Sequence, residues 1–266
     1  MVQGATWGAG CGVRPRIIAS VHRFFAPAFT LDDGIVALPR DEAEHLTRVL
    51  RLTIGDTIAV FDGLGREWLA RVASIEGREV RVQLTSPIEP AAEPTVSLTL
   101  VQAVLKGEKM DDVVRDAVML GVVAIQPIVT KRTETTVAAL LKGARPDRWR
   151  RIALAAVKQS RRAVLPEIRP PLAFEDFLET PTPALRLMLI EPTVSTAVEP
   201  ISNLAAEPRP PDAAVLVGPE GGWTEDECAA ARASGVRLMS LGRRTLRADA
   251  VPVAAISVLQ YLWKDL

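Results

Sequence analysis

One short segment of the chain has the composition of a ligand-binding loop. Residues 218–222 read Gly-Pro-Glu-Gly-Gly after the apolar run at 215–217, and Thr224 with Glu227 makes a capping-box pattern at the start of a predicted helix. Glycines between a strand and a helix let main-chain N–H and C=O groups approach a flat or anionic ligand without a Cβ in the way. The same glycines also suit a tight turn with positive φ, so the motif alone leaves both interpretations open. It matches neither G-x-G-x-x-G nor a Walker loop, which disfavours dinucleotide and nucleoside-triphosphate binding.

Residues 242–250 form a second segment with functional side chains. Arg243, Arg244 and Arg247 lie within five residues after a predicted strand, and Asp249 precedes the last predicted helix. Guanidinium groups suit phosphates and base edges, so RNA contact is plausible. The alternative is that Asp249 caps the helix, that Arg243 and Arg244 are solvated, and that Arg247 pairs with a carboxylate. Of the three arginines, we assign a functional role only to Arg247.

Positive charge is concentrated in one part of the chain. The 32 Lys/Arg and 32 Asp/Glu residues cancel overall. Residues 142–169 nevertheless hold nine Lys/Arg and two Asp/Glu, whereas 22–87 hold eight and ten. The basic stretch lies on a predicted helix at 147–164, whose charged face is either a solvated surface or a surface that tracks phosphates.

The apolar pattern divides the chain into two predicted domains. Between 21 and 88, short alternating runs at 57–61, 68–73 and 80–84 are separated by Asp-Gly and Glu-Gly turns, which predicts a small β-barrel. A helix is predicted at 41–50, with Asp41 as its cap. The proline-spaced segment 87–94 cannot join a central strand, so we place the domain boundary there.

The second predicted domain, residues 95–266, alternates strands with helices. Strands are predicted at 98–105, 122–129, 185–190, 213–217 and 236–241, and helices at 109–120, 147–164, 225–234 and 252–263. This alternation predicts a mainly parallel sheet with helices on both faces. Ligands collect outside the carboxyl ends of such strands. We therefore expect the loops after 190, 217 and 241 to line one pocket.

Several classes of protein are disfavoured by composition. The two cysteines, Cys11 and Cys228, have no disulfide-framework or metal-type spacing, and His22 and His45 lack a readable catalytic partner, so no metal site is predicted and both histidines are taken as structural or RNA-facing. No apolar run reaches 18 residues and no signal-peptide pattern occurs, so we expect a cytoplasmic protein without a membrane partner. Residues 1–20 are expected to be a disordered extension.

Taken together, these residues resemble the RsmE family, the SPOUT-class enzymes that methylate N3 of a uridine in 16S ribosomal RNA. The resemblance begins at His22 and runs to the C-terminus. It rests on short islands in a fixed order, which are HLTRVLR at 45–51, KGEKM at 106–110, LGV at 120–122, QS at 159–160, PEI at 166–168, GPEGG at 218–222, and Leu241-Gly242 with Leu246-Arg247.

The resemblance implies a fold, a cofactor and a set of site residues. The fold would be α/β, with a PUA-like RNA-binding barrel before a SPOUT domain tied in a trefoil knot, and the protein would be a homodimer that acts on the small ribosomal subunit. S-adenosylmethionine would be held by Leu189, Ile190, Glu191, Val217, Gly218, Glu220, Gly221, Gly222, Ser240, Leu241, Gly242, Leu246, Arg247 and Ala250. Arg23, Arg48, Arg51, Arg132, Gln159 and Arg162 would contact RNA.

The catalytic hypothesis places two residues near the methyl acceptor. Arg247 would stabilise negative charge on the uracil carbonyls, and Asp249, at a family glutamate position, would be the base or its orienter. Other polar family positions are also altered here, at Asp116, Met119, Lys131, Lys158 and Ala248. The alternatives are a non-catalytic RNA-binding or assembly factor with the same fold, a methyltransferase for a different RNA site, and an α/β enzyme acting on another nucleotide.

Overall fold

The computed structural model describes residues 21–27, 34–192 and 198–265. Two compact units divide the chain, one ending at Glu89 and the other beginning at Pro90. The predicted extension at 1–20, with Cys11 inside it, lies outside the described residues.

The first unit is built on a five-stranded sheet. Its strands are β1 (Arg23–Phe25), β2 (Ile35–Ala37), β3 (Thr57–Phe61), β4 (Glu67–Glu76) and β5 (Glu79–Ile88). They lie in the order β1-β3-β4-β5-β2, with β1 parallel to β3 and the remaining pairs antiparallel. The three strands predicted from alternation are present, β3 with the predicted bounds and β4 and β5 longer than predicted. Their inward residues pack with Phe24 and Leu46 into one apolar core.

The helical insertion of this unit differs from the prediction. Helix α1 (Arg40–Glu44) is followed directly by a π-helical turn, His45–Val49, where a single helix at 41–50 was predicted. Pro39 is the N-cap and Asp41 lies in the first turn, so Asp41 as a cap is wrong. The chain then leaves through Arg51, whose φ of 55° is left-handed. Such turns widen a helix locally and are frequent at functional sites.

The second unit is a parallel sheet covered by helices. Its strands are β6 (Ser97–Ala103), β7 (Ala124–Val129), β8 (Glu167–Ile168), β9 (Leu172–Ala173), β10 (Leu185–Leu189), β11 (Glu199–Pro200), β12 (Asp212–Val217) and β13 (Arg237–Ser240). The order is β11-β13-β10-β12-β6-β7-β8, with β9 also paired to β7. All the pairings in this sheet are parallel across the residues that the structure describes. The predicted α/β class is confirmed.

Seven α-helices complete the described part of the chain. After α1 they are α2 (Lys109–Met119), α3 (Val137–Lys142), α4 (Arg145–Ser160), α5 (Phe174–Leu178), α6 (Glu225–Ala233) and α7 (Val251–Trp263), with a 3-10 turn at Ile201–Ala206. Helix α6 begins with the predicted capping box, in which Thr224 and Glu227 exchange hydrogen bonds. The short elements β8, β9, β11, α3 and α5 were not predicted.

Two ionic contacts fix the start and the end of this unit. Arg162, whose side chain is 4% exposed, donates from Nε and Nη2 to Glu93 at 2.5–3.0 Å. Near the C-terminus, Asp265 accepts from the Thr95 hydroxyl at 2.5 Å and from the Val96 N–H at 3.0 Å. Arg162, just after α4, therefore holds Glu93 in the proline-spaced segment, and Asp265 holds Thr95 and Val96 directly after it.

Candidate active site

Three neighbouring strands end at one cavity. β13, β10 and β12 are adjacent and parallel, so the loops that follow them leave from the same edge of the sheet. They enclose a cavity of about 430 Å³. Its wall consists of Leu189, Ile190, Glu191, Pro192, Val217, Gly218, Pro219, Glu220, Gly221, Gly222, Trp223, Leu241, Gly242, Arg244, Thr245, Leu246, Arg247, Ala248, Asp249 and Val251, together with Lys109 and Arg132. The structure thus brings the three predicted loops together.

The glycine loop forms a tight turn that packs against a buried indole. Gly222 has a φ of 69°, a conformation that favours glycine, so a tight turn does require it. Gly218 is needed for packing, because a Cβ there would lie 3.0 Å from Trp223 Nε1. Trp223 is buried, contacts Phe174 at 5.3 Å between ring centres, and donates to the Leu189 carbonyl at 3.0 Å. This indole therefore joins the glycine loop to the end of β10.

Arg132 lies against the same loop. Its Nη1 donates to the Gly221 carbonyl at 2.6 Å, and a Cβ at Gly221 would meet the Arg132 side chain at 3.2 Å. Glu191 approaches from the other side, since its Oε1 lies 3.6 Å from the place where a Gly222 Cβ would stand. An arginine and a glutamate thus lie close to Gly222 at the cavity wall.

Glu220 is tied to the segment that follows β6. Its Oε1 accepts from Lys109 Nζ at 2.9 Å and from the Lys106 N–H at 3.2 Å. Partial burial raises the pKa of Glu220, but these two hydrogen bonds, another from its own N–H and the charge of Lys109 outweigh it. The net effect is a lowered pKa, so Glu220 is ionised at neutral pH.

Arg247 and Asp249, the two predicted catalytic residues, are paired with each other. Arg247 Nε and Nη2 lie 3.1 Å from Asp249 Oδ1 and Oδ2, respectively. The arginine side chain is 75% exposed and the aspartate 27%. Partial burial raises the pKa of Asp249, yet the hydrogen bonds from Arg247 and from its own N–H, with the charges of Arg247 and Lys109, lower it overall. The pairing agrees with one part of the structural alternative, in which Arg247 pairs with a carboxylate. Its other part, Asp249 as a helix cap, is wrong, because the N-cap of α7 is Ala250 and no side chain caps it.

Most of the residues predicted to hold a cofactor line the cavity. Of the fourteen, twelve contribute to its wall, and Ser240 and Ala250 are the two predicted positions that do not, among the residues described. Ser240 ends β13 one residue before the loop, and Ala250 is the N-cap of α7. Lys109 and Trp223 line the wall without having been assigned a site role. Lys109 belongs to the KGEKM motif and Trp223 follows GPEGG directly, so the motifs could have indicated both residues.

The predicted RNA contacts fall into two groups. Arg48 and Arg51 are exposed in the first unit, and Arg132 and Gln159 are exposed in the second. Arg23 is 10% exposed, pairs through two nitrogens with Glu67 and lies over the Phe61 ring. That pairing leaves it a structural residue, so the expectation of an RNA contact is wrong there.

Arg162 is also a structural residue, and its predicted RNA contact is wrong. Besides pairing with Glu93, it donates to the carbonyls of Val118 and Val122 at 2.6 and 3.2 Å. Such a buried guanidinium cannot reach a phosphate.

The basic face of α4 is partly neutralised within the chain. Arg148 pairs with Glu108 and Asp111, and Arg150 pairs with Asp147. Positive charge on this helix is therefore less available to phosphates than its sequence suggests.

Comparison with known proteins identifies the family. Residues 92–260 match the family described as RNA methyltransferase domain, and residues 38–85 match RNA methyltransferase PUA domain. A Synechocystis protein named ribosomal RNA small subunit methyltransferase E is 33% identical over 232 residues, covering 86% of this chain and 74% of that protein. The chain belongs to the ribosomal RNA small subunit methyltransferase E family.

Solved structures of this family share the fold. A ribosomal RNA small subunit methyltransferase E from Neisseria gonorrhoeae, crystallised with S-adenosylmethionine, is 31% identical with a TM-score of 0.80, covering 91% of this chain and 98% of that chain. A methyltransferase-type protein from Legionella pneumophila, also in complex with this cofactor, is 29% identical with a TM-score of 0.81, covering 91% and 97%. The family resemblance predicted from sequence is confirmed, and the barrel belongs to the PUA type.

Two further properties concern the described residues. No helix among them is both long and apolar enough to cross a membrane. Within the same part of the chain, no group of three His, Cys, Asp or Glu side chains could hold a metal ion.

Proposed function

We propose that the chain methylates N3 of a uridine in the 16S ribosomal RNA of the small subunit, with S-adenosylmethionine as methyl donor. The observation that supports this most directly is the meeting of three adjacent strand ends at one cavity. Open parallel sheets bind ligands at this edge. Relatives in the family are named for small-subunit rRNA methylation, and the Neisseria protein was crystallised with the cofactor.

The cavity fits this cofactor. Gly218, Gly221 and Gly222 line the cavity without a side chain, so main-chain atoms form that part of the wall. A Cβ at Gly218 or Gly221 would meet Trp223 or Arg132 at 3.0–3.2 Å, so the loop accepts no larger residue there without adjustment. Apolar side chains from the ends of β10 and β12 suit an adenine ring, and three carboxylates suit an amine. The residues that would hold the cofactor are Leu189, Ile190, Glu191, Val217, Gly218, Glu220, Gly221, Gly222, Leu241, Gly242, Leu246 and Arg247. When bound, S-adenosylmethionine supplies an activated methyl group on a sulfonium sulfur.

Arg247 stabilises the charge that appears on the acceptor base. Removal of the N3 proton leaves negative charge on the two uracil carbonyls, and a guanidinium presents two parallel donors to such oxygens. The 75% exposure of Arg247 leaves donors free to meet an incoming base. A preorganised donor acts on the transition state more than on the bound substrate.

Asp249 orients Arg247 and does not act as the base. Both of its oxygens accept hydrogen bonds from Arg247, and its lowered pKa makes it a weak proton acceptor. A bidentate pair fixes the plane of the guanidinium, which is what orientation requires. Of the two roles predicted for Asp249, base or orienter, these contacts support the second.

RNA is held by exposed polar side chains on each unit, three of them arginines. Arg48 and Arg51 on the barrel, and Arg132 and Gln159 on the second unit, are the proposed contacts. A base inside folded rRNA has to be unstacked before its N3 can be reached, so these contacts act on a locally opened strand. We also propose, from the family resemblance, that the chain forms a homodimer with a trefoil knot and works in the cytoplasm.

Incubation with labelled cofactor tests the proposal. Small subunits purified from a strain that lacks this gene are mixed with the protein and labelled S-adenosylmethionine. We expect the label to enter 16S rRNA, and to disappear with Arg247→Ala. If the protein binds RNA but transfers no label, the non-catalytic alternative is favoured. Label in a different RNA would show that the target is not in 16S rRNA.

A further inference from the structure

Lys109 and Glu220 connect the start of α2 to the glycine loop inside the cavity. Strands β6 and β12 are neighbours, with Gln102 opposite Val217, so the segments that follow them lie side by side. Gly107, with a φ of 60°, turns the chain after β6. The Lys106 N–H and the Lys109 ammonium then reach the same oxygen of Glu220, at 3.2 and 2.9 Å.

Lys109 shares the cavity with a second carboxylate, that of Asp249, which lies on the loop that follows β13. Among the described residues, the cavity is lined by four cations, Lys109, Arg132, Arg244 and Arg247, and by three carboxylates, those of Glu191, Glu220 and Asp249. Removing Lys109 would leave Glu220 without its side-chain partner and leave three of these cations facing the three carboxylates.

The position of Lys109 differs from that of an ordinary surface lysine. It is the first residue of an eleven-residue helix, whose following residue Met110 is completely buried. Its backbone is therefore fixed by the core, whereas Glu220 lies in a glycine-rich loop. An ion pair between exposed side chains contributes little, but the Lys109 and Glu220 side chains are only 37% and 23% exposed.

We propose that Lys109 is a positioning residue for methyl transfer, which holds the glycine loop through Glu220. The helix start would thereby set one wall of the cofactor cavity before the cofactor arrives. This inference rests on the proposed function, because it assumes that the cavity takes S-adenosylmethionine.

Calorimetric titration with S-adenosylmethionine tests the role of Lys109. We expect Lys109→Met to weaken binding about tenfold, a typical coupling between two parts of a site. Lys109→Arg should retain most of the affinity, and Glu220→Gln should weaken it in the same way. The double variant should bind no more weakly than Glu220→Gln alone, since Lys109 acts through Glu220. In steady-state assays, KM for the cofactor should rise more than kcat falls.

Lys131→Met is the matched control. It removes a Lys–carboxylate pair of 3.0 Å, to Asp226, on a side chain that does not line the cavity among the described residues. Its cofactor affinity should equal that of the wild type. Thermal unfolding without ligand shows whether each variant is folded, and Lys109→Arg and Glu220→Gln remain informative if Lys109→Met is not.

Two results would overturn the inference, and they are distinguishable. If the wild type binds the cofactor and Lys109→Met binds within twofold of it, the positioning role is wrong while the proposed function stands. If the wild type itself fails to bind, the proposed function falls and this inference with it.

Discussion

Arg247 and Asp249 form a bidentate ion pair at the cavity wall, with both nitrogen–oxygen distances at 3.1 Å. The aspartate thereby fixes the plane of a guanidinium that is otherwise exposed. The pair joins the two residues that were predicted to be catalytic, and it supports the proposed roles of Arg247 as donor to the base and of Asp249 as its orienter.

Arg247→Ala should lower kcat about 100-fold at saturating cofactor, the usual effect of losing one donor to a developing oxyanion. Single-turnover methylation of small subunits measures this rate. Asp249→Asn should have a smaller effect, because the guanidinium remains but is no longer fixed. Arg243→Ala is the control and should leave kcat unchanged. Arg243 lies in the same loop but is not among the described residues that line the cavity. An equal loss with Arg243→Ala would contradict the assignment.

Gly222→Ala should weaken cofactor binding and destabilise the fold. Its φ of 69° disfavours any side chain by about 1–2 kcal/mol, and the loop would adjust at the cavity wall. Gly77→Ala is the matched control, because Gly77 has a φ of 63° in the barrel hairpin with open space around it. It should cost similar stability in chemical unfolding while leaving cofactor affinity intact. Equal affinities for the two variants would count against the glycine loop as a cofactor wall.

Arg162→Met should destabilise the protein by about 3 kcal/mol, since removing one partner of a buried pair leaves Glu93 and two carbonyls without their donor. Urea unfolding measures the difference. Arg150→Met, which removes an exposed pair of 2.7 Å to Asp147, should change stability little. If RNA affinity fell with Arg162→Met while stability did not, the structural role would be refuted.

Arg48→Gln with Arg51→Gln should reduce the salt dependence of RNA binding. Each phosphate contact that is lost lowers the slope of log K against log salt by about 0.7 for a single strand. Titrations at several salt concentrations give the slope. Arg81→Gln is a barrel control, because Arg81 is already paired with Glu79 at 2.7 Å. A slope that stays unchanged in the double variant would exclude these two arginines from the RNA surface.

Asp265→Asn should destabilise the protein at neutral pH by about 1–2 kcal/mol, because the carboxylate accepts from Thr95 and Val96 while 2% exposed. Burial raises the pKa of Asp265, but these hydrogen bonds and the charge of Arg209 lower it below its ordinary value. A carboxyl with a lowered folded pKa stabilises above its unfolded pKa of about 3.9 and loses that contribution as the pH falls through the folded value. The free energies of unfolding of the wild type and Asp265→Asn should therefore approach each other as the pH falls. If their difference stays constant down to acid pH, the ionic role of Asp265 is contradicted.

Much of the second unit could be predicted because its elements repeat a strong pattern. The strands β6, β10 and β12 are mostly apolar, and Gly121 and Gly235 lie just after helices α2 and α6, which follow β6 and β12. Parallel order then places three loops at one edge, which is why most cofactor positions could be placed on the cavity wall. The trefoil knot stays a prediction of the family resemblance.

The misplaced residues share a physical cause. Arg23 and Arg162 look like RNA contacts in a sequence because arginine is usually exposed, and only the fold shows that Glu67 and Glu93 take them. For Lys109, the sequence shows a lysine in a recognised motif but not its partner Glu220, which lies 111 positions further along. Long-range ion pairs leave no local pattern, so the sequence alone shows neither the partners of the two arginines nor the partner of Lys109.

Nucleoside analysis of the reacted RNA tests the central claim most directly. Small subunits from the deletion strain are treated with protein and S-adenosylmethionine, and the digested 16S rRNA is analysed by mass spectrometry. We predict one new 3-methyluridine per subunit, which the Arg247→Ala protein fails to form. A methyl group on another base or on ribose, or 16S rRNA left unchanged by a protein that binds the cofactor, would contradict the proposed reaction.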